Sequence, residues 1–150
     1  MIITFIGHAF LTAKGEIMEK VRGQMRANIT DELITCYLGG YGDFDEICAS
    51  VCRELKNECL LELVYVTPYI SLSEQAKIKE LQEAGLYDKT IYPSLENVPK
   101  RFAISRRNKW MLENADLVIA YVDHSYGGAY KSLLSSKRKV KKLINIADLI

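Results

Sequence analysis

The stretch ADLVIAYVDHSYGG, residues 115–128, decides how this chain folds. Its apolar run, 117–122, has no polar alternation and breaks abruptly into Asp123-His124-Ser125-Tyr126-Gly127-Gly128. Two other runs behave alike: 2–6 ends in Gly7-His8, and 33–38 ends in Gly39-Gly40-Tyr41-Gly42-Asp43. Strands that are apolar on both faces belong in a parallel sheet covered on both sides. In open sheets of that kind ligands bind at the carboxyl edge, where glycine lets the main chain come close and helix N-termini offer unpaired N–H groups to anions. The three loops therefore predict where a site lies before they say what it does.

Working outward, strand-like and helix-like segments alternate. Helices are predicted near 16–27, 44–56, 73–84 and 129–139, with another ending near Ala115, and further strands at 60–66 and 143–146. This is the pattern of a doubly wound, three-layer α/β/α domain, expected to span residues 1–150. Residues 2–6 and 117–122 are expected as adjacent parallel strands at the centre, bringing Gly7-His8 and the 123–128 loop together at the switch point.

The helix at 44–56 has the clearest pattern. Phe44, Ile47, Cys48, Val51, Cys52 and Leu55 form one apolar stripe, and Asp43 with Glu46 has capping-box spacing, so Asp43 reads as an N-cap as well as a ligand-loop residue. Three glycines in the four residues before Asp43 exceed the needs of a plain turn. The segment GLYDKTIYPSLENVPK, 85–100, is long for a connection and predicts either a short edge strand at 90–92 or a lid over a ligand.

In RFAISRRNKWMLENA, residues 101–115, Ile104, Met111, Leu112 and Ala115 are placed on one helix face together with Asn108. A helix starting near the ligand edge would let Arg107 and Asn108 reach a phosphate or ribose, while Arg106 reads as solvated. His8 suits phosphate donation or proton transfer as well as a structural bond to its loop; His124 reads as structural. Asp123 suits ribose hydroxyls as well as a turn. Tyr41, Tyr69 and Tyr126 on the edge loops offer faces for a base.

Composition narrows the classes. With 150 residues, 49% of them hydrophobic, the chain can fill one core. Twenty basic and 19 acidic residues, a formal charge of +1, supply no global field for nucleic acid. The run Lys137-Arg138-Lys139-Val140-Lys141-Lys142 reads as a solvated helix end whose cations suit the macrodipole. No apolar run approaches the ~20 residues of a membrane span, and the start lacks a signal-peptide pattern. A cytoplasmic protein without a membrane or nucleic-acid partner is expected. Cys36 falls in a strand-like run, Cys48 and Cys52 on the apolar face of a helix, and Cys59 just before another strand; without a second pair or a histidine at ligand spacing they read as buried thiols, with no metal. No cofactor is expected.

The blocks TFIGH (4–8), GGYGDFDEI (39–47), VTPY (66–69), FAISRRNKWMLENADLVIAYVDHSYGGAYKSLL (102–134) and LINIA (143–147) together resemble the SLOG superfamily, in its YpsA-like branch of small bacterial proteins. The similarity covers nearly the whole chain. It implies a Rossmann-like fold, a nucleotide or nucleotide-derived ligand and a homo-oligomer. It also implies that Gly39, Gly40 and Gly42 form one ligand loop, Gly127 and Gly128 a phosphate-facing loop, and Arg107 with Asn108 the polar helix contact. Ala9 stands where YpsA-like proteins usually carry an arginine. The Pro-Gly-Gly-x-Gly-Thr-x-x-Glu motif of the superfamily's phosphoribohydrolases is replaced by Tyr126-Gly127-Gly128-Ala129-Tyr130-Lys131-Ser132-Leu133. Cleavage of an N-glycosidic bond needs a carboxylate, and that motif's glutamate is missing. The expected function is thus binding or sensing of a nucleoside phosphate, ADP-ribose or NAD-like molecule. The alternatives are an N-glycosidic hydrolase or transferase using Asp43, Asp45, Glu46 or Asp123, and a protein-interaction module with a vestigial pocket.

Overall fold

The structure is a computed structural model and describes residues 1–137 and 142–150. Six strands form one parallel sheet: β1 (Ile2–Gly7), β2 (Ile34–Leu38), β3 (Leu61–Val66), β4 (Lys89–Ile91), β5 (Leu117–Tyr121) and β6 (Lys142–Asn145). Their spatial order is β4-β3-β2-β1-β5-β6. The chain winds one way from β1 to β4 and the other way from β5 to β6, so the switch point lies between β1 and β5. Those strands pair from Ile3 with Leu117 to Gly7 with Tyr121, the central adjacency expected from the sequence.

Helices cover both faces because both faces are apolar. On one side α1 (Lys14–Ala27) and α2 (Asp43–Leu55) bury Ile17, Val21, Phe44 and Leu55 against Ile3, Phe5, Cys36 and Leu63. Phe44 is fully buried over Gly7, where an added Cβ would come within 2.2 Å of its ring. The β1 end and the α2 start are therefore locked together. On the other side α4 (Ala103–Glu113) and α5 (Gly127–Ser136) set Leu112 and Leu133 against Val118 and Ala120, while Met111 meets Val64 and Val66. Cys36, Cys48 and Cys52 are buried, free thiols.

The helix α3 (Leu72–Glu83) buries no residue. It is capped by Ser71, whose hydroxyl accepts the Glu74 N–H, and moored by the Glu74 carboxylate, which accepts from Tyr65 Oη at 2.6 Å and Thr67 Oγ1 at 3.0 Å. Of the two readings of 85–100, the edge strand is observed: Lys89–Ile91 pairs with β3. The basic run beginning at Lys137 lies largely outside the described residues.

Two local expectations are corrected. Asp43 is not the N-cap of α2: Gly42 occupies that position at φ 89°, and the Asp43 carboxylate instead accepts the Leu11 N–H at 2.9 Å. That bond, more than the nearby Lys14, holds the Asp43 carboxyl below its ordinary range. The buried stripe of α4 also differs. It runs through Ala103, Arg107, Met111 and Leu112, while Ile104 is 45% exposed. Periodicity favoured the isoleucine because it weighs side chains by hydrophobicity, whereas the arginine is drawn inward by oxygen acceptors that the helix sequence does not contain.

Candidate functional site at the switch point

The Gly7-His8 loop and the 123–128 loop meet as the topology requires. His8 is 8% exposed, and its Nε2 accepts the Asp123 backbone N–H at 3.1 Å. The same nitrogen lies 3.2 Å from the Asp123 Oδ1. One nitrogen cannot accept and donate at once, so a neutral His8 takes the backbone contact and carries its proton on Nδ1. Burial, helped by the neighbouring His124, pushes the His8 pKa below its ordinary value, while Asp123 pulls weakly the other way. Near neutral pH His8 is the uncharged partner. A carboxylate oxygen only accepts, so His124 donates from Nδ1 to Asp123 at 2.8 Å, and that bond is the first cause of the lowered Asp123 pKa.

His8, Asp123 and His124 bring three ligand-type atoms within 4.8 Å of one another. The two imidazoles are stacked at 3.6 Å with only 11° between their planes. A metal ion bound by a histidine lies along the lone pair in the ring plane, and one ion cannot lie in two parallel planes so far apart. As arranged, the trio is a hydrogen-bonded stack rather than a coordination sphere.

Beneath this stack a cavity of about 580 Å³ opens along the carboxyl edge. That lies within the ~300–1,000 Å³ range of small-molecule sites. Of the candidate site residues, Gly7, His8, Arg107, Asn108, Tyr126, Gly127 and Gly128 line it. Arg107 is 4% exposed. Its Nη1 donates to Gly39 O at 3.0 Å and Val66 O at 2.9 Å, and its Nε donates to Asn108 Oδ1 at 2.9 Å. All three partners are neutral oxygens. Asp45 acts on the guanidinium only through its charge, and burial pulls the Arg107 pKa down. Asp45 itself lines the cavity, accepts the Tyr41 N–H at 3.1 Å and is pushed up to about 6 by burial.

The remaining candidates fall elsewhere. Gly40, Gly42 and Asp43 border a neighbouring cavity of about 510 Å³ that shares Ala9, Phe10, Tyr41 and Asp45 with the first. Gly39 is not at either surface; a Cβ there would lie 2.7 Å from the Arg107 guanidinium carbon. Asp123 orients His8 and His124 without lining the cavity, and Tyr69 lies beyond β3, its N–H donating to Thr67 Oγ1.

No protein-family model matches the chain, and no curated protein matches it. Among solved structures, DNA processing protein A (DprA) from Streptococcus pneumoniae superposes with a TM-score of 0.64 at 14% identity, over 94% of this chain. The fold is Rossmann-like. This chain spans about half the length of that structure, 48%. No helix among the described residues is long and apolar enough to cross a membrane.

Sequence reading missed Phe10 at this Rossmann-like edge. The side chain is 89% exposed and lines both cavities. Its signal was present, an aromatic three residues beyond the glycine that ends β1, but an apolar side chain in a loop reads as ordinary surface.

Proposed function

We propose that this chain binds a nucleotide or nucleotide-derived small molecule, such as a nucleoside phosphate, ADP-ribose or an NAD-like compound, in the cavity at the switch point. We read it as a cytoplasmic sensor of the SLOG superfamily, in the YpsA-like branch, with no cofactor of its own. The observation carrying this reading is Arg107. A guanidinium buried to 4% exposure and bonded only to neutral oxygens keeps its full charge in a desolvated place, which an anion in the cavity would compensate. In the same cavity, the start of α5 at Gly127-Gly128 offers backbone N–H groups and the positive end of the helix dipole.

Hydrolysis is the second reading, and Asp45 favours it. A half-buried carboxyl on the cavity wall with a pKa of about 6 suits general acid or base work near neutral pH. The absent motif glutamate supports binding without turnover, and the balanced charge supports a small anion over nucleic acid, despite the fold shared with a DNA-processing protein.

The test is thermal stabilisation of the purified chain by AMP, ADP-ribose, NAD, a cyclic nucleotide and a single-stranded oligonucleotide, followed by chromatography for released base. A ligand at 100 times its Kd should add ~2.7 kcal/mol of stability. Stabilisation by a phosphorylated nucleoside without base release is the expected result. Tighter binding of the oligonucleotide, or base release abolished by Asp45→Asn, overturns it.

A further inference from the structure

We infer that the outer face of Tyr126 is the seat of a planar heteroaromatic ring, so that the site takes a ligand with an aromatic base at one end and an anion at the other. Three rings form a continuous stack: His8 on His124 at 3.6 Å between centroids, and His124 on Tyr126 at 4.1 Å with 31° between planes. Exposure rises along it, from 8% at His8 to 34% for the His124 side chain and 71% at Tyr126. The inner end is anchored by Asp123, which donates its N–H to His8 and accepts from His124. The outermost ring is thereby supported on one face. Among the described residues no ring covers its other face, and its hydroxyl makes no hydrogen bond.

A ring held on one side and open on the other costs little ordering when a base stacks on it, and every nucleobase presents a π-face. Position supports the same reading. Tyr126 immediately precedes Gly127-Gly128 at the start of α5 and lines the same cavity as Arg107. Exposed Phe10 lines that cavity too and adds a second aromatic to it. The inference rests on the anion-pocket reading above: Arg107 and the α5 start take the phosphate, and Tyr126 takes the ring.

The test is calorimetric titration of AMP and of ribose 5-phosphate, which lacks the base, into the wild type, Tyr126→Ala, Tyr126→Phe and Gly128→Asp. The wild type should prefer AMP by roughly 5- to 150-fold, the range of one stacked base. Tyr126→Ala should bring that ratio near one, and Tyr126→Phe should keep the preference. A ratio unchanged in Tyr126→Ala, or no preference in the wild type, overturns the platform. If Gly128→Asp weakens both probes while Tyr126→Ala leaves the ratio intact, the anion pocket stands and the platform falls. If AMP binding depends on Tyr126 but ignores the new charge at position 128, the platform stands and the anion pocket falls. Wild type that binds neither probe overturns both.

Discussion

The glycine loop after β2 and the glycine loop after β5 look alike in sequence and differ in what surrounds them. A Cβ added at Gly39 would meet the Arg107 guanidinium at 2.7 Å; at Gly40 it would meet the Tyr65 ring at 2.6 Å; at Gly42 it would meet Ala9 Cα at 2.7 Å. After β5 the reverse holds, since Gly127 and Gly128 have nothing within 4 Å of the added atom. The first loop is glycine-rich because the protein packs against it. The second leaves its open space to whatever enters the cavity. Two glycine loops therefore divide the work, one holding Arg107 in place and the other open to the cavity.

The largest effect should come from filling the packed loop. Gly40 has φ +67°, a conformation that a β-branched residue strongly resists, and its added side chain would also run into Tyr65. Gly40→Val should cost about 3–5 kcal/mol in urea unfolding, and loss of ligand binding would follow from loss of the fold. A variant that unfolds like wild type but fails to bind would move this loop into the ligand site. Next comes Arg107→Ala, which removes the donors that tie the ends of β2 and β3 through Gly39 O and Val66 O. About 2–4 kcal/mol of stability should go with them, together with affinity for phosphorylated ligands. Unchanged stability would mean that these carbonyls find water instead.

How much of this was legible in the sequence depends on distance along the chain. The strand-helix alternation, the α2 stripe and the β1–β5 adjacency are local or topological, and the amino-acid pattern shows them directly. The reason for Gly39 is not local, because the guanidinium that excludes a side chain there belongs to a residue 68 positions away. Arg107 is hidden in the same way: its place in the buried stripe of α4 is set by the carbonyls of Gly39, just after β2, and Val66, at the end of β3. Asp43 shows the limit of motif reading, since its spacing to Glu46 fits a capping box, yet its carboxylate is taken by the Leu11 N–H from the loop after β1. Tyr41, Tyr69 and Tyr126 all read as edge tyrosines, yet Tyr41 and Tyr126 line the cavity and Tyr69 does not.

A smaller effect belongs to Asp45, which sits between the two cavities beside the packed loop. Its folded value of about 6 lies above the ordinary 3.8, so the native state holds the proton more tightly than the unfolded chain. Its contribution to stability is present below about pH 4 and is lost as pH rises through about 6. Asp45→Asn keeps an acceptor for the Tyr41 N–H and removes the charge. At pH 8 it should be more stable than wild type by on the order of 1–2 kcal/mol, and the gain should vanish toward pH 4. A gain that does not change with pH would show that the carboxyl is better solvated than its surroundings indicate.

The measurement that most directly tests the division between the loops is Gly128→Asp, read by unfolding and by titration of AMP or ADP-ribose. An aspartate in the first turn of α5 meets open space and a favourable dipole, so stability should stay within ~0.5 kcal/mol of wild type. The same charge faces the cavity that Arg107 lines, so affinity for the phosphorylated ligand should fall at least tenfold, about 1.4 kcal/mol. Wild-type affinity in a stable Gly128→Asp protein would contradict the account, because the open glycine loop would then face no anion.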